Sequence, residues 1–174
     1  QGPPGTGKST VTAKLIAELL KRDKRIAISS NSNPAINNLL VKTRAVCDQY
    51  DLDEKIVKCT SQKEDSQLSN YGIPLIPPAV IANEMTVVGG TTWSFSREEM
   101  SDQFDVLVID EAGQMSMANL LVMARCAKSI LLVGDQQQLS QPTKASHPGE
   151  SGDSCLEYLI KGENVVPKDK GIFL

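Results

Sequence analysis

Near the start of the chain, Val11, Leu15, Ile16, Leu19 and Leu20 recur at helical spacing. One apolar stripe with polar positions between predicts an amphipathic helix running to about residue 22. The period then changes. Arg25-Ile26-Ala27-Ile28-Ser29 is a short apolar run and predicts a strand. Asn33 as N-cap, with Pro34 at the first helical position, predicts a second helix carrying Ile36, Leu39, Leu40, Ala45 and Val46. Lys55-Ile56-Val57-Lys58-Cys59 predicts another strand. Residues 60–78 are polar and then hold Pro74, Pro77 and Pro78, so a loop or small insertion is expected over about 60–85. Met85 to Thr92 is expected to be a strand leading into Trp93 and Phe95.

The second half alternates more cleanly. Val106-Leu107-Val108-Ile109 and Ile130-Leu131-Leu132-Val133 are unbroken apolar runs of the kind covered on both sheet faces, with a helix expected between them over 120–127. Residues 136–152 are polar and read as a loop, 153–161 as a helix, and Gly171-Ile172-Phe173-Leu174 as a strand. Strands alternating with helices predict an α/β fold, a parallel sheet with flanking helices. Ligands of such sheets gather beyond the carboxyl ends of the strands, where the polar motifs of this chain fall. No internal repeat is evident.

Composition narrows the field. The 174 residues are one domain's worth, 40% hydrophobic, with a net charge of −3. The domain is therefore not wrapped in the positive field of a strongly basic nucleic-acid binder, and any such contact must be local. The basic run Lys21, Arg22, Lys24, Arg25 reads as a solvated helix end. Cys47, Cys59, Cys126 and Cys155 form no C-x-x-C pair, and His147 is the sole histidine, so neither a zinc site nor a disulfide framework is expected. No apolar stretch is long enough to span a bilayer and no signal peptide is visible, so a reduced, cytoplasmic setting is expected.

The chemistry begins at the first residues. Gly2-Pro3-Pro4-Gly5-Thr6-Gly7-Lys8-Ser9 is a complete G-x-x-x-x-G-K-[ST] phosphate loop, continued by Thr10. Its glycines let backbone N–H groups face a phosphate, Lys8 can reach the β and γ phosphates of ATP, and the Ser9 hydroxyl can take a place on Mg²⁺. Such a loop is normally fed by a buried strand, so the chain is expected to be a fragment. Asp110-Glu111 closes the run 106–109. Asp110 can hold the metal ion, and Glu111 can orient and deprotonate an attacking water. Gln136-Gln137-Gln138 follows the run 130–133. A glutamine there can sense the γ phosphate without adding charge, and Gln138 is favoured.

Taken in order, the phosphate loop, Asp110-Glu111-Ala112-Gly113-Gln114 and Gly134-Asp135-x-x-Gln138-Leu139 resemble motifs I, II and III of superfamily 1 helicases, in the branch containing the nonsense-decay helicase. Ser32-Asn33-Pro34-Ala35-Ile36-Asn37-Asn38-Leu39 is similar to that branch's motif Ia, with Asn37 in place of the usual Asp. Gly90-Thr91-Thr92 resembles the next nucleic-acid motif. Gln136 and Ser140-Gln141 stand where prolines are common. The tail looks closest to the helicase half of bacterial proteins that join it to a RecB-like nuclease.

The resemblance implies the first RecA-like domain of a P-loop NTPase motor spanning 1–174, incomplete at both ends. It implies ATP and Mg²⁺ as cofactors and single-stranded nucleic acid, DNA ahead of RNA, as partner, gripped through Ser32, Asn33, Thr91 and Thr92. It also implies a second RecA-like domain and a fused nuclease in the parent chain, with the isolated fragment inactive. Two rivals are a small-molecule P-loop kinase and a non-catalytic ATP-dependent nucleic-acid-binding module. Phe95 is expected in the core. Trp93 is open between core packing, a domain interface and stacking on a base.

Overall fold

The structure is a computed structural model that describes residues 1–81, 84–135, 153–160, 163 and 165–174. Its centre is a six-stranded, all-parallel sheet. The strands are β1 (Ile26–Ser29), β2 (Ile56–Cys59), β3 (Leu75–Ile76), β4 (Val87–Gly89), β5 (Phe104–Ile109) and β6 (Ala127–Leu132), in the spatial order β3-β2-β4-β1-β5-β6. Ile26 of β1 pairs with Val87 on one side and Val106 on the other, so the central strand is covered on both edges.

Alternation along the strands sends side chains to two cores. Ile26 and Ile28 face the layer of α1 (Lys8–Leu20) and α2 (Asn33–Gln49), where they meet Ile16, Ile36 and Leu40. Ala27, Leu107 and Ile109 face the other layer. It includes α4 (Thr92–Phe95), α5 (Met117–Ala124) and α6 (Cys155–Leu159), and contributes Phe95, Leu120 and Leu156. Burying each of the larger side chains stabilises the fold by about 1.5–3 kcal/mol, which is why both strand faces are apolar.

Several local expectations are corrected. The N-cap of α2 is Ser32, not Asn33. Ser32 is extended, and its Oγ accepts the open N–H of Ala35 at 3.3 Å, leaving Asn33 as the first helical residue. The stretch 60–85 is more than a loop. It holds α3 (Ser66–Ser69), the strand β3 that pairs with β2, and a 3₁₀ turn at Pro78–Val80. The strand expected over 85–92 is only β4, because the chain turns into α4 at Thr92. The helix expected over 120–127 starts and ends earlier. Ser116 caps α5 by accepting from Asn119 N–H at 3.3 Å, and Ala127 already belongs to β6.

β6 itself is not covered on both faces. It pairs with β5 alone and forms the sheet edge among the described residues, and Ile130 on it is 41% exposed. The last residues are not a strand, yet they are tied to the first. Leu174 N–H donates to the Gln1 carbonyl at 2.8 Å and the Gln1 ammonium to the Ile172 carbonyl at 2.7 Å. The expected loop at 136–152 lies outside the described residues. Among those described, no helix is long and apolar enough to cross a membrane.

Candidate functional site

The phosphate loop adopts the conformation its glycines permit. Gly5 and Gly7 have φ of +84° and +83°, in the left-handed region where a side chain is strained, and Gly7 leads directly into α1. Pro3, Pro4, Thr6 and Thr10 are exposed and Ser9 is half-buried at the helix start. Thr6 braces the loop by donating its hydroxyl to the Pro3 carbonyl at 2.9 Å. Lys8 folds back over the loop, its ammonium donating to the carbonyls of Gly2 at 2.6 Å and Pro3 at 2.8 Å. An ammonium whose two hydrogen bonds go to neutral carbonyls inside a turn of backbone amides is suited to exchange them for an anion.

The loop is fastened to the far end of β6. Gly2 N–H donates to the Gly134 carbonyl at 3.2 Å, and Ala112 N–H donates to the Val133 carbonyl at 2.9 Å. These two bonds bring the phosphate loop, the end of β6 and the Asp110-Glu111 turn together at one edge of the sheet. Gly134 has to be glycine, because a Cβ there would sit 2.9 Å from Ala112 N and 3.0 Å from Gly113 N.

Asp110, only 8% exposed, follows β5. Burial raises its pKa above the ordinary carboxylate range. The Glu111 N–H at 3.1 Å pulls it back, the Glu111 charge pushes it up, and Lys42 and Lys8 pull it down. Glu111 is in the left-handed region at φ 56°, unusual for a residue with a long side chain. Strain of this kind persists where surrounding bonds over-determine it, and here Gln114 N–H donates to the Glu111 carbonyl at 2.8 Å while Ala112 is pinned to β6. The Ser30 hydroxyl donates to Glu111 Oε2 at 3.4 Å. Ser30 was not singled out by the sequence. Its only signal was a hydroxyl just past β1.

Of the γ-phosphate candidates, Gln136, Gln137 and Gln138 lie outside the described residues. Asp135, just before them, is buried.

The nucleic-acid candidates sit beyond β1 and β4, which are neighbours in the sheet, with Gly90 N–H donating to the Ile28 carbonyl at 2.9 Å. Ser32 and Asn33 open α2, and Asn33 is exposed. Thr91 precedes and Thr92 opens α4, both half-buried. Asn31 donates to the Gln114 carbonyl, linking this edge to the Asp110-Glu111 turn. Phe95 is in the core as expected, edge-on to Phe104 at 5.7 Å between centroids, whereas Trp93 is 83% exposed.

Asn37 is not at the surface. Its Oδ1 accepts from the Lys58 ammonium at 2.7 Å and its Nδ2 donates to Asp65 Oδ2 at 2.7 Å, with Lys58 and Asp65 3.9 Å apart. Lys58 is fully buried in β2. Burial lowers its pKa and Asp65 partly restores it. One cation therefore faces one carboxylate, with a neutral amide bridging them. A lysine inside an apolar strand run was the available signal.

Comparison with known proteins gives a consistent answer. The profile of the AAA domain family matches residues 1–71 and 53–147. The DNA replication ATP-dependent helicase/nuclease DNA2 of Saccharomyces cerevisiae is 27% identical over 95% of this chain and 12% of its own length. The ATP-dependent helicase NAM7 of the same yeast is 29% identical over 92% of this chain and 20% of its own. The RecBCD enzyme subunit RecD of Buchnera aphidicola is 27% identical over 91% of this chain and 24% of its own. The chain thus spans at most 24% of the length of any of these relatives.

Proposed function

The chain belongs to the AAA domain family, in the superfamily 1 helicase branch, and from that premise we propose that it is the first RecA-like domain of an ATP-driven motor on single-stranded nucleic acid. The observation that carries this reading is the pair of backbone bonds, Gly2 to Gly134 and Ala112 to Val133, that join the phosphate loop to the carboxylate pair.

In this reading the amides of the loop cradle the phosphates and Lys8 leaves its carbonyls for them. Ser9 and Asp110 would hold a magnesium ion, which when bound would offset phosphate charge. Among the described residues no group of three or more metal-binding residue types gathers. Glu111, oriented by Ser30, takes a proton from the attacking water at its carboxylate. Gln138 senses the γ phosphate. Ser32, Asn33, Thr91 and Thr92 grip the strand backbone through hydrogen bonds, which suits a domain of net charge −3 better than a coulombic clamp.

Turnover requires more than this edge supplies. In phosphoryl transfer an arginine finger is worth about 10³–10⁵ in rate, and here we assign it to a second RecA-like domain. The 174-residue chain alone is then expected to show no strand-stimulated ATP hydrolysis. Phosphate release with Mg-ATP, with and without single-stranded DNA or RNA, tests this, and robust stimulated turnover by the monomer would overturn the half-motor reading.

A further inference from the structure

Trp93 is the only tryptophan of the chain and, at 83%, its most exposed large apolar side chain among the described residues. The residues that follow it are tied into the fold. Just after it in α4, Ser94 is buried with its Oγ 3.4 Å from the Cys59 carbonyl, and Phe95 packs edge-on against Phe104. Ser96 donates its hydroxyl to the Trp93 carbonyl at 3.4 Å. The backbone is thus anchored from below while the indole stands in solvent.

The residues next to it in the chain bear on what covers it. A tryptophan at the heart of a protein interface is normally ringed by other apolar side chains, with charged residues depleted. Here the chain neighbours that reach the surface are Thr91, Thr92, Ser96 and the exposed Arg97. Hydroxyl donors and a guanidinium around one open aromatic face suit a phosphodiester carrying an unpaired base. Glu98 and Glu99 follow Arg97, so net positive charge is not what would draw the strand here. We infer that Trp93 is a stacking platform for one base of the single strand. The inference rests on the strand-binding reading above and adds a base contact to backbone contacts.

The lone tryptophan makes the test direct. The 174-residue chain is titrated with a fluorescently end-labelled oligothymidylate and with an abasic oligomer of the same length. Strand binding is read by anisotropy and Trp93 by its own emission. The expected result is quenching by the base-bearing strand but not by the abasic one. Trp93→Ala should lower affinity for the base-bearing strand by about 5- to 150-fold, and Trp93→Phe by less. Asn33→Ala, by contrast, should weaken both strands alike. Binding with unchanged emission and unchanged affinity in Trp93→Ala, or equal quenching by the abasic strand, would overturn the stacking platform while leaving the strand reading intact. If neither strand binds the wild-type chain, the strand reading falls and the platform with it.

Discussion

The Lys8 ammonium donates to the Gly2 carbonyl at 2.6 Å, so the one cationic side chain of the phosphate loop is held by the loop's own backbone. Its hydrogen-bond acceptors are neutral, and a phosphate would replace them with charged oxygens and stronger bonds. Lys8→Ala is therefore expected to abolish ATP binding without unfolding the chain. Calorimetry with Mg-ATP checks the first part and circular dichroism the second.

Glu111 carries the proton transfer in the proposed mechanism. In a longer chain that contains both motor halves, Glu111→Gln should retain ATP binding while hydrolysis falls by about 10²-fold or more, the scale of losing a general base. Ser30→Ala removes only the orienting hydroxyl and should have a smaller effect of the same sign. Single-turnover hydrolysis and equilibrium binding measured together separate the two quantities, and a near wild-type rate in Glu111→Gln would place the base elsewhere.

Gly134 has backbone atoms where a Cβ would go. Gly134→Ala must push the end of β6 away from Ala112 and Gly113. Overpacking of this kind costs about 1–3 kcal/mol. ATP affinity should fall as well, because Gly2 hangs on the carbonyl of the displaced residue. Urea unfolding and nucleotide titration of the same variant report the two losses, and full affinity at reduced stability would uncouple the loop from β6.

The Lys58, Asn37 and Asp65 cluster makes stability depend on alkaline pH. Burial depresses the Lys58 pKa below its ordinary 10.5, so over the window between the depressed value and 10.5 the unfolded chain binds more protons than the native one. Stability should then rise with pH through that window. Asp65→Asn removes the charge that favours protonated Lys58. It should lower stability at neutral pH by about 1–3 kcal/mol and start the rise at lower pH. Lys58→Met should abolish the rise. Urea denaturation of all three chains at about pH 7 and about pH 9.5 is the check.

All four cysteines are buried, and burial pushes the thiols of Cys126 and Cys155 up to about 12 and that of Cys47 to about 11. Cys59 is raised for the same reason. Nucleophilic thiolate is thus scarce in the native state. Alkylation at neutral pH should be slow while the chain is folded and should follow global opening once urea is added, with mass spectrometry counting the adducts. Rapid modification of any one thiol would mean that its region opens locally.

The parts of the site that were legible in the sequence are those encoded in consecutive residues. Gly7-Lys8-Ser9 and Asp110-Glu111 each announce their chemistry within one motif, and the apolar run ending at Ile109 announces a strand. What was not legible depends on neighbours in space. The run ending at Val133 looks like an interior strand because apolarity cannot say that, among the described residues, β6 has only β5 beside it. The two residues of β3 were hidden in a polar stretch, since their strand character comes from pairing with Lys58 and Cys59. Ser32 and Asn33 both suit an N-cap, and only the backbone geometry chose between them. The link from Asn37 to Asp65 crosses 28 residues of chain and had no local signal beyond one lysine among apolar neighbours.

The place of β1 in the sheet has a consequence during synthesis. Its partners, β4 and β5, are made much later, and Val106 follows Ile26 by roughly 80 residues. At ~5–20 residues/s a ribosome takes about 4–16 s to cover that distance. Until β4 is made, the strand Ile26–Ser29, buried in the finished domain, has neither edge paired, and the edge that takes β5 stays open for the whole interval. No hairpin can cover it earlier, because every pairing it makes is parallel and distant in sequence. The nascent chain therefore carries an apolar strand with at least one open edge until the residues just before the Asp110-Glu111 turn are translated, a state prone to aggregation.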